Sequence, residues 1–211
     1  MATTTTNEWF RNEEWNAAIE ARFLKLRKSR NKGQRLRIQA CHLVEKHPEA
    51  ALALLNKYFS LGDHFFDAQA LVDEATAYES PGRIDEAICS LQKALHQERE
   101  FPNVKTEAWS HYALLIAVHS RGSKYAEALR VLAENESDFL FPVQTFRWHA
   151  ASALIRAAQG HRKLAKEHAI EALKAARMGR SRMRNHPKQG LVGSGYADLR
   201  STLLLLTGPN S

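Results

Sequence analysis

Four stretches of the chain put a small residue at the same point of a helical pattern. "HPEAALALLNKYF" holds Ala51, and "GRIDEAICSLQKAL" holds Gly82 and Ala87. "GSKYAEALRVLAE" holds Gly122 and Ala128, and "GHRKLAKEHAIEAL" holds Gly160 and Ala165. The alanines lie 36, 41 and 37 residues apart. A period of this size signals stacked helical hairpins, because one hairpin cannot cover its own apolar face and needs the next. Two antiparallel helices approach closely only where one of them is small. Ala87 and Ala94 supply that smallness, and Leu91, four residues after Ala87 on the same face, fills the space between hairpins. Gly82 permits the tight turn that joins the pair, and Tyr78 packs near the end of the preceding helix.

Helical periodicity divides the chain into about ten segments: 12–29, 34–46, 48–61, 64–80, 84–99, 104–120, 124–135, 143–159, 161–178 and 196–206. Asn12 caps the first, with Glu13 and Glu14 in its first turn. His47-Pro48 sets a proline at a helix start. Gly62-Asp63, Pro81-Gly82 and Gly122-Ser123 read as turns, and Gly160 as a left-handed C-terminal cap. Phe101-Pro102 and Phe141-Pro142 interrupt two further helices. Val, Ile and Thr rarely alternate with polar residues, which leaves strands little support. The expected class is all-α. At 44% apolar and 25% charged over 211 residues, the chain has the composition of a folded protein with a sizeable core.

Leu71, Ala75, Tyr78, Ala87, Leu91 and Ala94 together resemble a tetratricopeptide repeat. Segments 104–135 and 143–178 resemble looser copies, and 34–61 a looser one still. Their spacing exceeds the ~34 residues usual in that family. The resemblance implies an α-α superhelix of three or four stacked antiparallel hairpins with extra terminal helices. It divides the chain into an N-terminal capping helix over 1–33, repeats over 34–178, and a basic glycine-containing loop with a C-terminal capping helix over 179–211. It also implies a non-enzymatic scaffold that holds a protein or peptide in a concave groove lined by the first helix of each hairpin. That groove would take Gln69, Asp73, Thr76 and Ser80 from the best unit, Trp109, Tyr112 and His119 from the next, and Arg147 from the last. Trp, Tyr and Arg carry binding energy at interfaces. The plain alternative is that Trp109, Tyr112 and Trp148 are core. The Lys and Asn clamp by which some members of the family hold a ligand carboxylate is not seen.

Charge is distributed unevenly. Residues 1–40 carry nine Lys/Arg and four Asp/Glu, 41–140 nine and sixteen, and 141–211 twelve and three, so both ends are basic and the middle acidic. Two runs concentrate the basic charge. One holds Lys25, Arg27, Lys28, Arg30, Lys32, Arg35 and Arg37; the other holds Lys174, Arg177, Arg180, Arg182, Arg184 and Lys188. They could contact phosphates, which makes a nucleic-acid-associated regulatory protein the alternative function, although no named nucleic-acid motif accompanies them. They could equally be solvated helix ends and a mobile loop, or meet the acidic middle of another copy.

Other features carry less. "GLVGSG" at 190–195 follows no strand and lacks a phosphate-loop lysine, so it reads as a flexible connection. His161 and His168 could share a helix face, but a metal needs further ligands, and no metal or cofactor is expected. No nucleophile–base set is visible. Cys41 and Cys89 form no CxxC pair and read as small semi-buried thiols, and the start "MATTTTNEWF" has no apolar signal core. With no run long enough to span a membrane, a cytoplasmic protein is expected. Trp9, Phe10 and Trp15 would cover the open end of the stack. Leu199, Leu203 and Leu206, widened by Leu204 and Leu205, form a stripe with two destinations: the third hairpin, or a second subunit in a homodimer.

Overall fold

The computed structural model describes residues 10–25, 32–62, 64–137 and 139–208, and of residues 24 and 25 the backbone alone. Trp9, Arg27, Lys28 and Arg30 lie outside the described residues, as does the side chain of Lys25. The described residues are all-α, without strands. Their helices are α1 (Ala17–Lys25), α2 (Lys32–Leu43), α3 (Pro48–Phe59), α4 (Asp67–Glu79) and α5 (Ile84–Glu100), followed by α6 (Ala108–Val118), α7 (Tyr125–Glu134), α8 (Pro142–Ala158), α9 (Arg162–Ala176) and α10 (Ala197–Leu206). None of these is long and apolar enough to cross a membrane. The chain divides into two compact units, Met1–Ala108 and Trp109–Ser211.

In the first unit α2 pairs with α3 and α4 with α5, and α3 lies against α4. Leu36, Leu43, Leu54, Leu55 and Tyr58 are its buried centre, with Phe10 and Trp15 packed at the edge. Ala87, Leu91 and Ala94 are wholly removed from solvent, as is Ala75 on the facing helix. The first helix starts later than its sequence indicates. The Asn12 carboxamide oxygen accepts the Glu14 N–H at 2.9 Å in a local turn, while Asn16 caps α1 by accepting from Ala18 and Ile19 at 3.0 and 3.1 Å. Two asparagines compete for one helix start. The one nearer the apolar run prevails, because Ile19 and Phe23 can then face the core. Gln39 holds the leading segment by donating to the Asn12 carbonyl at 2.7 Å.

In the second unit α8 pairs with α9, and α10 lies back on both. Phe146 and Ile155 are fully buried, and so are Ala165, Ala169 and Ala172 on the facing helix. Tyr196 fixes the start of α10. Its ring meets Phe146 edge-on at 5.0 Å, and its hydroxyl accepts from Arg147 Nε at 2.6 Å. Leu203 is buried where α10 lies back on α8 and α9, and Leu205 stays 79% exposed.

One turn recurs three times, at Gly82, Ser120 and Gly160. Each of these residues donates its N–H to the carbonyl three back (Glu79, Ala117, Ala157). The next residue donates five back, and the one after that donates to the turn residue's own carbonyl. All three turn residues have positive φ: 79°, 52° and 80°. This is a left-handed helix C-cap. The second copy of the turn is therefore Ser120 and not Gly122. Ala87 and Ala165 follow their turns by five residues, whereas Ala128 follows by eight. The extra three are Gly122–Lys124, a 3-10 turn. That insertion accounts for the 41-residue interval. A serine at positive φ is strained, and glycine is not. Ser120→Gly is expected to raise the unfolding free energy by about 0.5 kcal/mol, the relief being partly offset by a more flexible unfolded chain. Denaturant unfolding of the two proteins checks it.

Candidate functional site

The residues expected to line a groove are placed in three different ways. Tyr112 is fully buried and Trp109 nearly so, the latter stacked on Phe139 at 5.3 Å between rings. Both are core, as the alternating small and large residues of α6 require. Arg147 is committed to Tyr196. Gln69, Asp73 and Thr76 lie on α4. Thr76 returns its hydroxyl to the Val72 carbonyl at 3.1 Å, and Gln69 Nε2 donates to Asp73 at 3.2 Å.

Asp73 also receives Arg37 of α2 at 3.0 Å. The fold thus brings a residue of the first basic run onto a groove residue. Burial is the larger influence on Asp73 and pushes its carboxyl above the ordinary range in spite of Arg37. Cys41 is exposed as a residue, but its thiol bonds Asp73. Burial there, and the Asp73 charge, push the thiol up to about 11. A protonated thiol is a poor nucleophile at neutral pH. This cluster ties α2 to α4 with its own partners. Arg35, from the same basic run, sits 5.6 Å from the Phe10 ring.

An open cavity of about 490 Å³ lies in the second unit. The first turn of α8 and its preceding segment supply Phe139, Phe141 and Thr145; further along α8 come Trp148 and His149; α9 gives His168; and the following loop gives Met178 and Arg182. Trp148 is anchored by donating Nε1–H to the Leu132 carbonyl at 3.0 Å. His149 and His168 approach Nδ1 to Nδ1 at 3.0 Å, one donating and the other accepting. Burial first, then the neighbouring imidazole, push His149 down to about 4. Burial first, then Arg156, push His168 down as well. The pair is neutral at pH 7 and can hold or share one proton. Among the described residues no group of three or more His, Cys, Asp or Glu is placed to hold a metal.

The loop beside this cavity carries several hydrogen bonds. Ser181 is buried; its N–H donates to the Pro187 carbonyl at 2.6 Å and its hydroxyl to the His186 carbonyl at 3.2 Å. Arg182 N–H donates to the Leu140 carbonyl at 3.3 Å, and Val143 N–H to the Gly190 carbonyl at 2.9 Å. Arg180, Arg182 and Arg184 are exposed residues on either side of the buried serine. Gly190 has φ 69°, and a Cβ there would come within 2.5 Å of the Phe141 ring. Gly190→Ala is expected to cost about 2 kcal/mol through the left-handed backbone and the overlap. Thermal unfolding reads the loss, and a variant that melts with wild type would refute the placement of this loop.

A second cavity, of about 510 Å³, lies in the first unit between the start of α4 and the end of α5. Phe65 and Phe101 line it and are 67% and 51% exposed. Buried Glu98 holds the segment after α5 by accepting the Thr106 N–H at 3.0 Å and its hydroxyl at 2.5 Å.

Sequence reasoning paired His168 with His161 along one helix and missed His149. The available signal was approach across the hairpin turn: Glu74 and Ser90, each eight residues from Gly82, meet at 2.6 Å, and His149 and His168 lie eleven residues before and eight residues after Gly160. No protein-family model matches the chain, and comparison with curated proteins and solved structures finds no significant match.

Proposed function

We propose that the chain is a non-enzymatic, cytoplasmic scaffold of tetratricopeptide-like hairpins that binds a protein or peptide. The observation that carries this reading is the open cavity of the second unit, walled by Trp148, Phe139 and Phe141 and edged by Arg182. Aromatic residues and arginine grouped around a concavity are the elements from which peptide anchoring sites are made. The thrice-repeated turn supports the repeat character, and two unpaired cysteines accord with a reducing compartment. The binding surface differs from the groove first expected. On α4 the polar face is occupied by its own partners, and on α6 the aromatics are core.

Selection from a displayed random-peptide library tests the reading. Binders are expected to emerge and to lose most of their affinity to the Trp148→Ala protein. A library that enriches nothing on the folded wild type counts against it. A nucleic-acid role is the second reading, supported by the exposure of Arg180 and Arg184 on a hydrogen-bonded loop. Its mark would be RNA or DNA binding that falls steeply as salt rises.

A further inference from the structure

We propose that the groove between α9 and α10 docks an acidic amphipathic helix of a partner protein, on a surface that shares no lining residue with the Trp148 cavity. The two helices run antiparallel. Lys166, early in α9, donates from Nζ to the Gly208 carbonyl just past α10 at 3.0 Å, and at the other end Ala176 and Arg177 lie with Ala197 and Arg200. Along α9 the positions Lys166, Ile170, Leu173 and Arg177 follow the i, i+4, i+7, i+11 spacing of one helix face. The groove is open, with a volume of about 380 Å³, and Leu173 and Leu204 line it from the two sides. Leu204 is 50% exposed, and Ile170, one turn before Leu173, is 38% exposed. A concavity between two antiparallel rods with apolar side chains in it is a seat for a third helix, whose own ridge of side chains enters the furrow. From Lys166 to Arg177 that face runs for about 16 Å, or three turns.

Charge selects the occupant. Arg177 is exposed and Arg200 half-buried, and both line the groove. Residues 141–211 carry twelve Lys and Arg against three Asp and Glu. Of those three carboxylates Glu171 is engaged by Lys174 at 2.6 Å, Glu167 lies on α9 and Asp198 on α10. Carboxylates on a docked helix meet the two guanidiniums while its apolar residues cover Leu173 and Leu204. A second copy of the chain is the poorer occupant. Two-fold pairing of this face would set the same arginines against each other, and like charges across an interface repel. A membrane fits less well too, because a flat layer of headgroups meets the crests of α9 and α10 and not the floor between them.

The probe is a fluorescent stapled helix of about twelve residues, with leucines at i, i+4 and i+7 on one face and glutamates beside them. Its matched forms carry glutamine or lysine in place of glutamate. The acidic form is expected to bind best. Arg200→Glu is expected to weaken it by about ten-fold and to strengthen the lysine form, a reversal that loss of fold cannot produce. Leu204→Glu is expected to abolish binding, with thermal unfolding to confirm that the variant is folded. Trp148→Ala is expected to bind the acidic helix as wild type does, and loss of the probe there moves it to the other cavity and overturns the assignment. Equal binding of the glutamine form, or binding of none of the three, overturns it as well, and the library selection then decides the scaffold reading separately. Self-association in sedimentation that Leu204→Glu disperses gives the face to a second copy. Cosedimentation with phosphatidylserine vesicles that Leu204→Glu abolishes gives it to a membrane. Either result overturns the proposal.

Discussion

Leu91→Ala is expected to lower the unfolding free energy by about 2–5 kcal/mol. Leu91 is fully buried on α5, between Ala87 and Ala94, which are buried as well. Small neighbours let α4 and α5 approach, but they leave Leu91 as the bulk that fills the junction. Removing it opens a void that alanines cannot close, since their short side chains have no further reach. A surface leucine would cost little on the same exchange. Denaturant unfolding with an unchanged slope would show the loss as one of stability, and coincident curves for variant and wild type would rule out this packing.

Acidification is the second large effect. His149 titrates near 4 and His168 is also pushed down, so between pH 6.5 and 4 the unfolded chain binds protons that the folded chain refuses. Stability is present in full above pH 6.5 and falls as pH drops through that window. After discounting for the half-exposed site, the loss is about 1–3 kcal/mol. Asp73 and Glu98 work in the opposite sense. Burial raises both, so their protonation in acid removes a cost that the folded state bears at neutral pH. The difference between wild type and His149→Asn isolates the histidine term. Unfolding free energies of the two proteins should converge as pH falls from 7 to 4, and parallel curves would contradict the assignment.

The helices were legible because their boundaries have local chemical causes. Pro48 begins α3, and Gly82 and Gly160 end α4 and α8 with a left-handed residue. Ala87, Ala128 and Ala165 are buried as the hairpin pattern demands. Where the reading slipped, a local signal had two claimants. Asn12 and Asn16 both can cap, and only the packing of Ile19 and Phe23 chooses between them. Ser120 hides its turn because glycine, the usual marker, sits two residues later.

The candidate site was harder to read, since its parts are far apart in sequence and meet only through the hairpin. His149 and His168 come from different helices, and Arg182 arrives on a loop whose order depends on a buried serine and on one glycine against Phe141. Composition gave that loop charge but not shape. The partners of the expected groove residues were hidden for a related reason. Amphipathic pattern shows which side of α4 is polar, but not that Arg37 of another helix already occupies it.

Nested hairpins built on small residues are the core of this account, and one set of melts tests it. Leucine is placed singly at Ala87, Ala128 and Ala165, and at the exposed Ala126 and Ala133 as controls. Each of the first three is expected to lose about 1–3 kcal/mol by overpacking, with the controls close to wild type. Unchanged stability at all five positions would show that those alanines face open space, and the hairpin packing described above would be wrong.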